Sequence, residues 1–479
     1  MRLHWQSPLA ISRDNAPVVV SRETCGLYLG LPRVGKTGSL CYQTIDAPGW
    51  TLATSCFIDI FQETALARVA GGGPVWLANP GQDGGWPSTM AFSPLTGCDT
   101  AEGAIANAGI LMNSVPKDAN SATWHDWGFQ LLRLAMHAAA LVPGYTILDA
   151  RYWVQNPSDP GFAKALASPF AAPGWDEELD HVNERPEETL GGIIPAADSA
   201  LSWLANPTMA ALACPAGDDN FSAENLIDNG GTLYLIGRNT PHSTLAPFYS
   251  LLVAHILEVA LKKASTMPGG RLAPTGTAIL DEAANLCTGI DLPRMTSLLG
   301  GRGVTVFVGA QSIAQLKEAF GENGASAILS NSGLKVIFGG YTDGPTLTDL
   351  SVLCDDEDTW NWVKQQDGSK HRLAVSQRVF SPSRLRLIPR GRALCLESFT
   401  RPFLMRVPSV RDHPRYDPLP ATFDFETPEP ELQPERLALP AGSGAAGELT
   451  AGGIDDDAVA EVVDGIVVSA FTASEKGGY

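Results

Sequence analysis

A glycine-rich segment near the start of the chain has the spacing of a phosphate-binding loop. Residues 30 to 37 read GLPRVGKT and match the pattern G-x-x-x-x-G-K-[ST]. In such a loop, backbone N–H groups point at phosphate oxygens, the lysine reaches the β- and γ-phosphates, and the hydroxyl holds Mg²⁺. We therefore expect nucleotide binding with Mg²⁺ held at Thr37. The expected nucleotide-binding residues are Gly30, Arg33, Val34, Gly35, Lys36, Thr37 and Gly38.

Two adjacent carboxylates follow an apolar run at residues 277 to 282, which read TAILDE. A P-loop needs an acidic residue at the tip of a neighbouring strand, and Asp281 is expected to hold Mg²⁺ directly or through water. Glu282 is placed to orient and polarise the attacking water, which predicts hydrolysis rather than binding alone. The alternative is an ordinary Asp-Glu helix cap after a buried strand.

Two further polar residues flank the next strand, VTVFVGA at residues 304 to 310. The amide of Gln311, at the end of this strand, can contact the γ-phosphate or the catalytic water. Arg302, just before the strand, is a candidate arginine finger that reaches a neighbouring subunit's site and stabilises transition-state charge. A solvated or salt-bridged loop arginine is the alternative. Glu282, Gln311 and Arg302 are the candidate catalytic residues.

Short apolar strands alternate with helical segments, a rhythm typical of βαβ units and a mainly parallel α/β sheet. The loop at residues 30 to 37 lies between a strand at 26 to 29 and a helix that begins near Lys36. The other segments predicted as strands are 50–55, 75–79, 231–237, 277–283, 304–311 and 335–340. We expect two further short strands, at 373–379 and 393–397, to complete the sheet.

Strand signals fade between residues 99 and 220, where Ala/Leu-rich segments predict an inserted all-α domain. Residues 1–98 are then the first part of the nucleotide-binding domain, with the P-loop, and residues 221–410 the second part, with the acid pair and the glutamine strand. Residues 411–479 form an acidic tail rich in Pro and Gly, which we expect to be disordered.

Composition excludes several classes of protein. The chain has 479 residues, and its 44% hydrophobic content excludes a wholly disordered protein. Its eight cysteines include no CxxC pair, so neither a zinc site nor a disulfide framework is indicated. No stretch reaches the 18 or so apolar residues that span a bilayer, and we expect a soluble chain.

Charge is distributed unevenly along the chain, whose formal net charge is −19. From 411 to 479 there are 14 acidic residues against 4 Lys or Arg, whereas from 364 to 406 there are 10 Lys or Arg against 2 acidic residues. The basic stretch is either a polyanion-binding surface or a solvated face of a sheet. The acidic tail is a solubilising segment or binds a basic partner.

The run from residue 279 to 340, which begins ILDEAANL and ends KVIFGG, resembles the TraG/TraD-type coupling proteins of bacterial conjugation and type IV secretion. Their acid pair, arginine-bearing turn and glutamine strand occur here in the same order. Shorter segments are also similar, and in the first of them Asp59 falls at the family's acidic position; these segments are 53–68, 73–97, 221–237 and 380–394. The resemblance covers most of residues 20 to 410.

This resemblance implies a RecA-like P-loop NTPase with an inserted all-α domain, which assembles as a homo-hexameric ring, binds DNA and hydrolyses ATP with Mg²⁺. In such a ring, a further alternative for the acidic tail is that it shields the central channel from DNA. It implies as partners DNA, a relaxase-type or other secreted protein cargo, and components of a type IV secretion channel. Family members commonly carry two arginines in the turn before the glutamine strand, and here Gly300 occupies the first position, which leaves Arg302.

Family members also commonly begin with transmembrane helices, whereas this chain starts almost directly at the motor domain. We therefore expect membrane attachment only through a partner or a missing segment, and a cytoplasmic location at the cytoplasmic face of the cell membrane. The leading hypothesis is an ATP-hydrolysing coupling protein that pumps DNA, with bound protein, toward a secretion channel. The alternatives are a soluble FtsK/HerA-like hexameric DNA translocase and a non-motor recruitment platform gated by nucleotide.

Overall fold

The computed structural model describes residues 6–11, 17–115, 122–217, 220–238, 245–354, 356–364 and 370–421. Within these ranges the strands are β1 (Gln6–Ile11), β2 (Pro17–Ser21), β3 (Gly26–Leu29), β4 (Thr51–Ser55), β5 (Val75–Ala78), β6 (Thr232–Ile236), β7 (Gly276–Leu280), β8 (Val304–Ala310), β9 (Leu334–Phe338), β10 (Asp356–Lys364), β11 (Lys370–Arg378), β12 (Arg392–Glu397) and β13 (Phe403–Arg406).

The α-helices of the same ranges are α1 (Lys36–Asp46), α2 (Asp59–Val69), α3 (Ala101–Asn113), α4 (Ala122–Leu141), α5 (Ile147–Gln155), α6 (Pro160–Leu166), α7 (Trp175–Asn183), α8 (Glu187–Ser199), α9 (Pro207–Ala213), α10 (Ala223–Asp228), α11 (Ala246–Thr266), α12 (Ala283–Leu286), α13 (Leu292–Leu298), α14 (Ile313–Asn331), α15 (Gly344–Val352) and α16 (Pro382–Arg386). Strands and helices alternate from β3 to β5 and again from β6 to β9, as the sequence predicts.

One of the two compact units of the chain comprises Met1–Ser55, Ala260–Ala284 and Asp291–Pro418. Its sheet has the strand order β2-β1-β13-β12-β9-β3-β8-β7-β4. The pairs from β9 to β4 are parallel, and those from β2 to β9 are antiparallel. Strands β3, β4, β7 and β8 are buried along their whole length. Their continuous apolar sequences, such as VTVFVGA, suit a sheet that is covered on both faces.

Register brings the carboxyl ends of three parallel strands to one edge of this sheet. Leu29, the last residue of β3, pairs with Ala310, the last residue of β8. Leu280, the last residue of β7, pairs with Val308 of β8. The residues that follow these strands are therefore neighbours although they are far apart in sequence. This edge carries the P-loop, the acid pair and Gln311.

The other unit comprises Cys56–Val259, Asn285–Ile290 and Leu419–Tyr479. It contains a parallel pair of strands, β5 and β6, and the helices from α2 to α10. Helix α4 is the centre of the helical part, where it contacts α3, α5, α6, α7 and α8. Apolar side chains in the second half of α4 are fully buried, among them Leu131, Leu132, Ala135 and Met136. This central helix gives the insertion a core of its own.

Both ends of the helical insertion meet at a short hydrogen-bonded stem. The amide of Phe221 donates to the carbonyl of Ala91 at 2.8 Å, and the amide of Phe92 donates to the carbonyl of Leu212 at 2.8 Å. The side chain of Asn220 accepts from the amide of Ser93 at 2.9 Å. The insertion therefore begins and ends at the same place in the structure.

One sequence expectation is wrong in part. The segment 373–379 does not complete the sheet, because β11 pairs with β10 in a separate antiparallel hairpin from Asp356↔Arg378 to Lys364↔Lys370. Both strands carry exposed charged residues, such as Glu357 and Arg372. A strand that is buried on both faces of a parallel sheet has a nearly continuous apolar sequence, and neither of these two strands has one. The segment 393–397 does join the sheet, as β12.

Two other expectations concern the ends of the chain and the membrane. The acidic tail lies almost wholly outside the described residues, which end at Ala421. Within the described residues, no helix combines the length and the apolar character that crossing a bilayer requires.

Substitution of Phe248, in α11, tests the packing of the aromatic core of the second unit. Its ring lies 5.4 Å from that of Trp203 and 6.4 Å from that of Phe92, centroid to centroid, and the side chain is fully buried. We expect Phe248→Ala to lower the free energy of unfolding by about 3–5 kcal/mol, because it removes apolar contacts and leaves a cavity. Urea denaturation followed by tryptophan fluorescence measures this loss.

Phe170→Ala is the matched control, because the Phe170 side chain is 81% exposed. We expect this variant to change the free energy of unfolding by about 0.5 kcal/mol or less. Equal losses for the two variants would contradict the packing described for Phe248.

Candidate nucleotide-binding and hydrolysis site

The segment between β3 and α1 has the backbone of a phosphate-binding loop. The amide of Gly30 donates to the carbonyl of Ala310 at 3.1 Å, which joins the start of the loop to the end of β8. Gly35 caps helix α1 with a φ of 108°, a conformation that favours glycine. Arg33 also has a positive φ, of 64°. The amides of the first turn of α1, which includes Lys36, Thr37 and Gly38, have no partners within the helix and are available to phosphate oxygens.

Lys36 lies between the two carboxylates of the acid pair. Its Nζ is 2.7 Å from Oε1 of Glu282 and 3.2 Å from Oδ1 of Asp281. The Lys36 side chain is only 6% exposed and that of Asp281 only 2%. Burial acts to lower the pKa of the Lys36 amine, but the two carboxylates outweigh it and raise that pKa above its ordinary value. Burial raises the pKa of the Asp281 carboxyl, and Lys36 opposes this increase.

Thr37 and Asp281 fit a magnesium ion. The Thr37 hydroxyl donates to Oδ2 of Asp281 at 2.9 Å. Two ligands on adjacent positions of an octahedron with Mg–O distances of about 2.1 Å are themselves about 3 Å apart, so these oxygens can serve one ion. The hydroxyl of Thr54 on β4 donates to the Asp281 carbonyl at 3.0 Å and fixes the backbone there. The donor set is all oxygen, as Mg²⁺ prefers.

Glu282 is held in a strained conformation. Its φ is 56°, and it is one of three non-glycine residues with positive φ in the described part of the chain. Such residues cost about 1–3 kcal/mol and persist where surrounding contacts hold them. Here Oε1 accepts from Lys36 at 2.7 Å and Oε2 accepts from the Gln311 amide at 3.1 Å. Both carboxylate oxygens are therefore oriented.

Gln311 is positioned by residues that sequence reasoning did not identify. Its backbone amide donates to the side-chain oxygen of Gln315 at 2.9 Å, and its carbonyl accepts from the Tyr341 hydroxyl at 2.7 Å. Gly309 has a related role, since a Cβ atom there would lie 2.4 Å from Oδ1 of Asp281. The glycine within the run VTVFVGA is the sequence signal for this close approach.

Arg302 is not part of this cluster. It lies in a short turn before β8, and its guanidinium donates to the Gly270 carbonyl at 3.2 Å. Gln311 follows the opposite end of β8, which spans seven residues. At about 3.3 Å per residue, the two ends are about 20 Å apart. Within one chain, Arg302 is therefore at the far edge of the sheet from the acid pair.

Comparison with protein families gives a match to residues 276–390. The matched family is TraG-D_C, described as the TraM recognition site of TraD and TraG. Comparison with curated protein sequences gives no significant match. The match covers β7 to α16, so it includes the acid pair, Gln311 and Arg302.

Comparison with solved structures gives similarity over most of the chain. The bacterial conjugative coupling protein TrwBdeltaN70 in its unbound monoclinic form has a TM-score of 0.62 at 18% sequence identity, over 87% of this chain and 92% of that one. The plasmid coupling protein TrwB in complex with the GTP analogue GDPNP has a TM-score of 0.59 at 17% identity, over 87% and 94%. TrwB in complex with ADP and Mg²⁺ has the same TM-score, sequence identity and coverage of the two chains as the GDPNP complex.

These comparisons confirm the predicted fold and the resemblance on which it rests. The chain has a RecA-like fold with a mainly parallel central sheet and an inserted all-α domain, and it is similar to TraG/TraD-type coupling proteins. The individual site residues remain predictions. The structure brings Lys36, Thr37, Asp281, Glu282 and Gln311 together and leaves Arg302 apart.

The charge balance around Lys36 gives a stability prediction. We expect Lys36→Met to lower the free energy of unfolding by about 3–5 kcal/mol at neutral pH, because it leaves buried carboxylate charge without its cation. The raised pKa of Asp281 means that its ionised form costs stability, and that this cost disappears below the ordinary carboxyl pKa. The loss caused by Lys36→Met should therefore shrink as the pH falls toward about 4. Urea denaturation of both proteins across this pH range measures it.

Lys36→Met/Asp281→Asn is the control for this prediction. It replaces the buried carboxylate with a neutral amide, so we expect it to be more stable than Lys36→Met alone. Additive losses from the two substitutions would show that the two residues do not interact.

Proposed function

We propose that this chain is an ATP-hydrolysing, DNA-binding coupling protein that recruits DNA with its bound protein and pumps it toward a type IV secretion or conjugation channel. The observation that carries the proposal is the hydrogen-bonded row Lys36–Glu282–Gln311 at the mouth of a P-loop. A phosphate-binding lysine, a carboxylate and an amide in this order are the groups that bind a γ-phosphate and orient an attacking water.

The proposed reaction begins when ATP binds along the P-loop amides with its phosphates at Lys36. Phosphate oxygens then compete with Glu282 for the lysine amine, which leaves Oε1 of Glu282 able to accept a proton from water. Gln311 keeps the carboxylate in place through its bond to Oε2 and can orient the same water. Thr37 and Asp281 would hold Mg²⁺, which would supply positive charge against that of the phosphates. The water attacks the γ-phosphate, and the products are ADP and inorganic phosphate.

Similarity to known proteins supports the choice of ATP, Mg²⁺ and partners. TrwB structures contain the ATP analogue ADPNP, or ADP with Mg²⁺. The TraM recognition site that names the matched family supports a protein partner from the conjugation apparatus. We propose DNA, a relaxase-type or other secreted protein cargo and channel components as partners of a homo-hexamer. Its location would be the cytoplasmic face of the cell membrane.

Glu282→Gln tests the proposed water-activating residue. We expect it to keep ATP binding and to lower kcat about 10²–10⁴-fold, because the amide cannot accept the proton from water. ATP hydrolysis by the purified chain, with and without single- and double-stranded DNA, measures kcat, and a fluorescent ATP analogue measures binding. Lys36→Ala, which should lose binding as well, is the control.

The wild-type protein in the same assay separates the three functional hypotheses. Turnover that rises with DNA and steeply with protein concentration supports a ring motor, and the preferred strand type separates a coupling protein from a duplex translocase. Nucleotide binding without turnover under all DNA conditions would favour the recruitment platform. Unchanged turnover in Glu282→Gln would show that another group activates the water.

Arg302 is proposed to act on the site of a neighbouring subunit, because about 20 Å of strand separates it from Gln311 within one chain. We expect Arg302→Ala to lower kcat about 10³–10⁵-fold, as for other arginine fingers. Mixing Arg302→Ala with Lys36→Ala should restore part of the activity, since mixed interfaces combine an intact loop with an intact arginine. Absence of any recovery in the mixture would contradict action between subunits.

A further inference from the structure

Two exposed arginines lie directly opposite each other at one end of the sheet that carries the P-loop. Arg392, the first residue of β12, pairs with Arg406, the last residue of β13, and both side chains are exposed. The Cβ atoms of directly opposite residues are about 4.5–5.5 Å apart, and like charges at such positions destabilise a sheet. The pair therefore costs stability in the isolated chain, and an anion bound to both guanidinium groups would remove that cost.

A third arginine lies beside this pair, in a tight turn. The amide of Arg392 donates to the carbonyl of Pro389 at 3.1 Å and closes a β-turn that contains Arg390. Gly391 supplies the positive φ, of 77°, that the second central position of such a turn requires. The Arg390 side chain is exposed. We refer to Arg390, Arg392 and Arg406 as the arginine surface.

Acidic residues do not neutralise the arginine surface. The carboxylate of Asp412 lies beside Arg406, but Nη2 and Oδ2 are 3.7 Å apart, which exceeds the length of a hydrogen bond, and the Arg406 side chain is 61% exposed. Among the residues that the structure describes, the side chains of Arg390 and Arg392 make no ion pair or hydrogen bond. Each guanidinium has five N–H donors, so the surface has hydrogen-bonding capacity for a ligand.

The composition of the region favours a ligand with several phosphate groups. Residues 372 to 415 contain ten arginines, no lysine and two acidic residues, in a chain whose net charge is −19. A guanidinium binds a phosphate through two parallel N–H···O bonds, whereas a lysine amine acts as a point charge. Protein partners bind most strongly where side chains fill buried pockets, but these arginines are exposed. A nucleic-acid backbone, with a phosphate at every nucleotide, needs no such pocket.

The arginine surface is linked to the proposed hydrolysis site by the segment that follows β9. Ala393, next to Arg392, pairs with Phe338, the last residue of β9. Three residues later, the Tyr341 hydroxyl donates to the carbonyl of Gln311 at 2.7 Å. A ligand at the arginine surface is therefore separated from Gln311 only by the end of β9 and one hydrogen bond. This placement suits an ATPase whose turnover responds to its cargo.

We propose that the arginine surface binds the phosphate backbone of DNA. Arg392 and Arg406 together hold phosphate groups of one strand, and Arg390 binds a neighbouring phosphate. Such contacts position a nucleic acid without reading its bases, so the binding is independent of sequence. The inference rests on the proposed function as a DNA-binding protein and adds to it the place where the DNA backbone is held.

Binding of fluorescent DNA to the full-length chain tests this inference. Fluorescence anisotropy of a labelled oligothymidine gives the Kd as the salt concentration rises from about 50 to 200 mM. Each phosphate contact with a single strand contributes about 0.7 to the slope of log K against log salt. We expect Arg392→Gln/Arg406→Gln to weaken binding about ten- to hundredfold at the lower salt concentration and to reduce the slope by about 1.4.

Arg401→Gln/Lys262→Gln is the matched control, because it removes the same charge from two exposed residues elsewhere. Arg401 lies in the turn between β12 and β13, about 17 Å from Arg392 along β12. We expect this control to leave the slope unchanged. Urea denaturation should show that Arg392→Gln/Arg406→Gln is at least as stable as the wild type, since it removes the repulsion between the two arginines.

Three results would overturn the inference and leave the proposed function standing. They are an unchanged slope in Arg392→Gln/Arg406→Gln, an equal loss of DNA binding in the control, and a loss of affinity for a fluorescent ATP analogue with DNA binding intact. A loss of poly-glutamate binding alone would also overturn it, because the surface would then bind an acidic protein segment. Failure of the wild-type chain to bind any DNA would contradict the proposed function as well.

Discussion

The ion pairs of Lys36 are the interactions on which the rest of the site depends. One buried amine lies between two carboxylates, and each carboxylate is also bound by a second group, Thr37 or Gln311. Burying these charges separately would cost several kcal/mol each, so the arrangement is stable only as a set. The sheet supplies the constraint, because its register brings the ends of β3, β7 and β8 to one edge. A nucleotide whose phosphates bind the Lys36 amine would therefore remove an ion-pair partner from Asp281 and Glu282 at the same time.

Most of the site could be predicted from the sequence because its signals are local. The P-loop pattern and the acid pair after an apolar run each identify specific residues. Parallel neighbouring strands then bring their carboxyl ends to the same edge of the sheet. The supporting groups could not be predicted in this way. Tyr341 and Gln315 act through contacts that depend on tertiary packing. Gly309 interrupts an apolar strand and so signals a close approach, but the sequence does not say that Asp281 is the group that approaches it. The positive φ of Glu282 likewise has no sequence signal, since glutamate rarely adopts it.

The predicted parts of the fold are those with continuous apolar strands. Strands β3 to β9 have such runs and lie where the sequence predicts them, with bounds that differ by three residues at most. The antiparallel strands β1, β2 and β13 are not predicted from the sequence. Strands β1 and β13 are short and mix polar with apolar residues, whereas the three valines of β2 are a strand signal that was missed. The hairpin of β10 and β11 shows that a predicted strand need not join the predicted sheet. The sequence predicts part of strand β11, but strand propensity does not determine which partner a strand pairs with, and β11 pairs with β10.

The stem at which the helical insertion begins and ends has a consequence for how this protein can change over time. Because hydrogen bonds from Phe92 and Phe221 close the stem, the rest of the second unit is insensitive to the length of what lies beyond it. Helices can be gained, lost or exchanged there without a shift in the strands below. The insertion is therefore the part of the molecule in which evolution, or a protein engineer, can change the number and sequence of the helices while the stem stays the same.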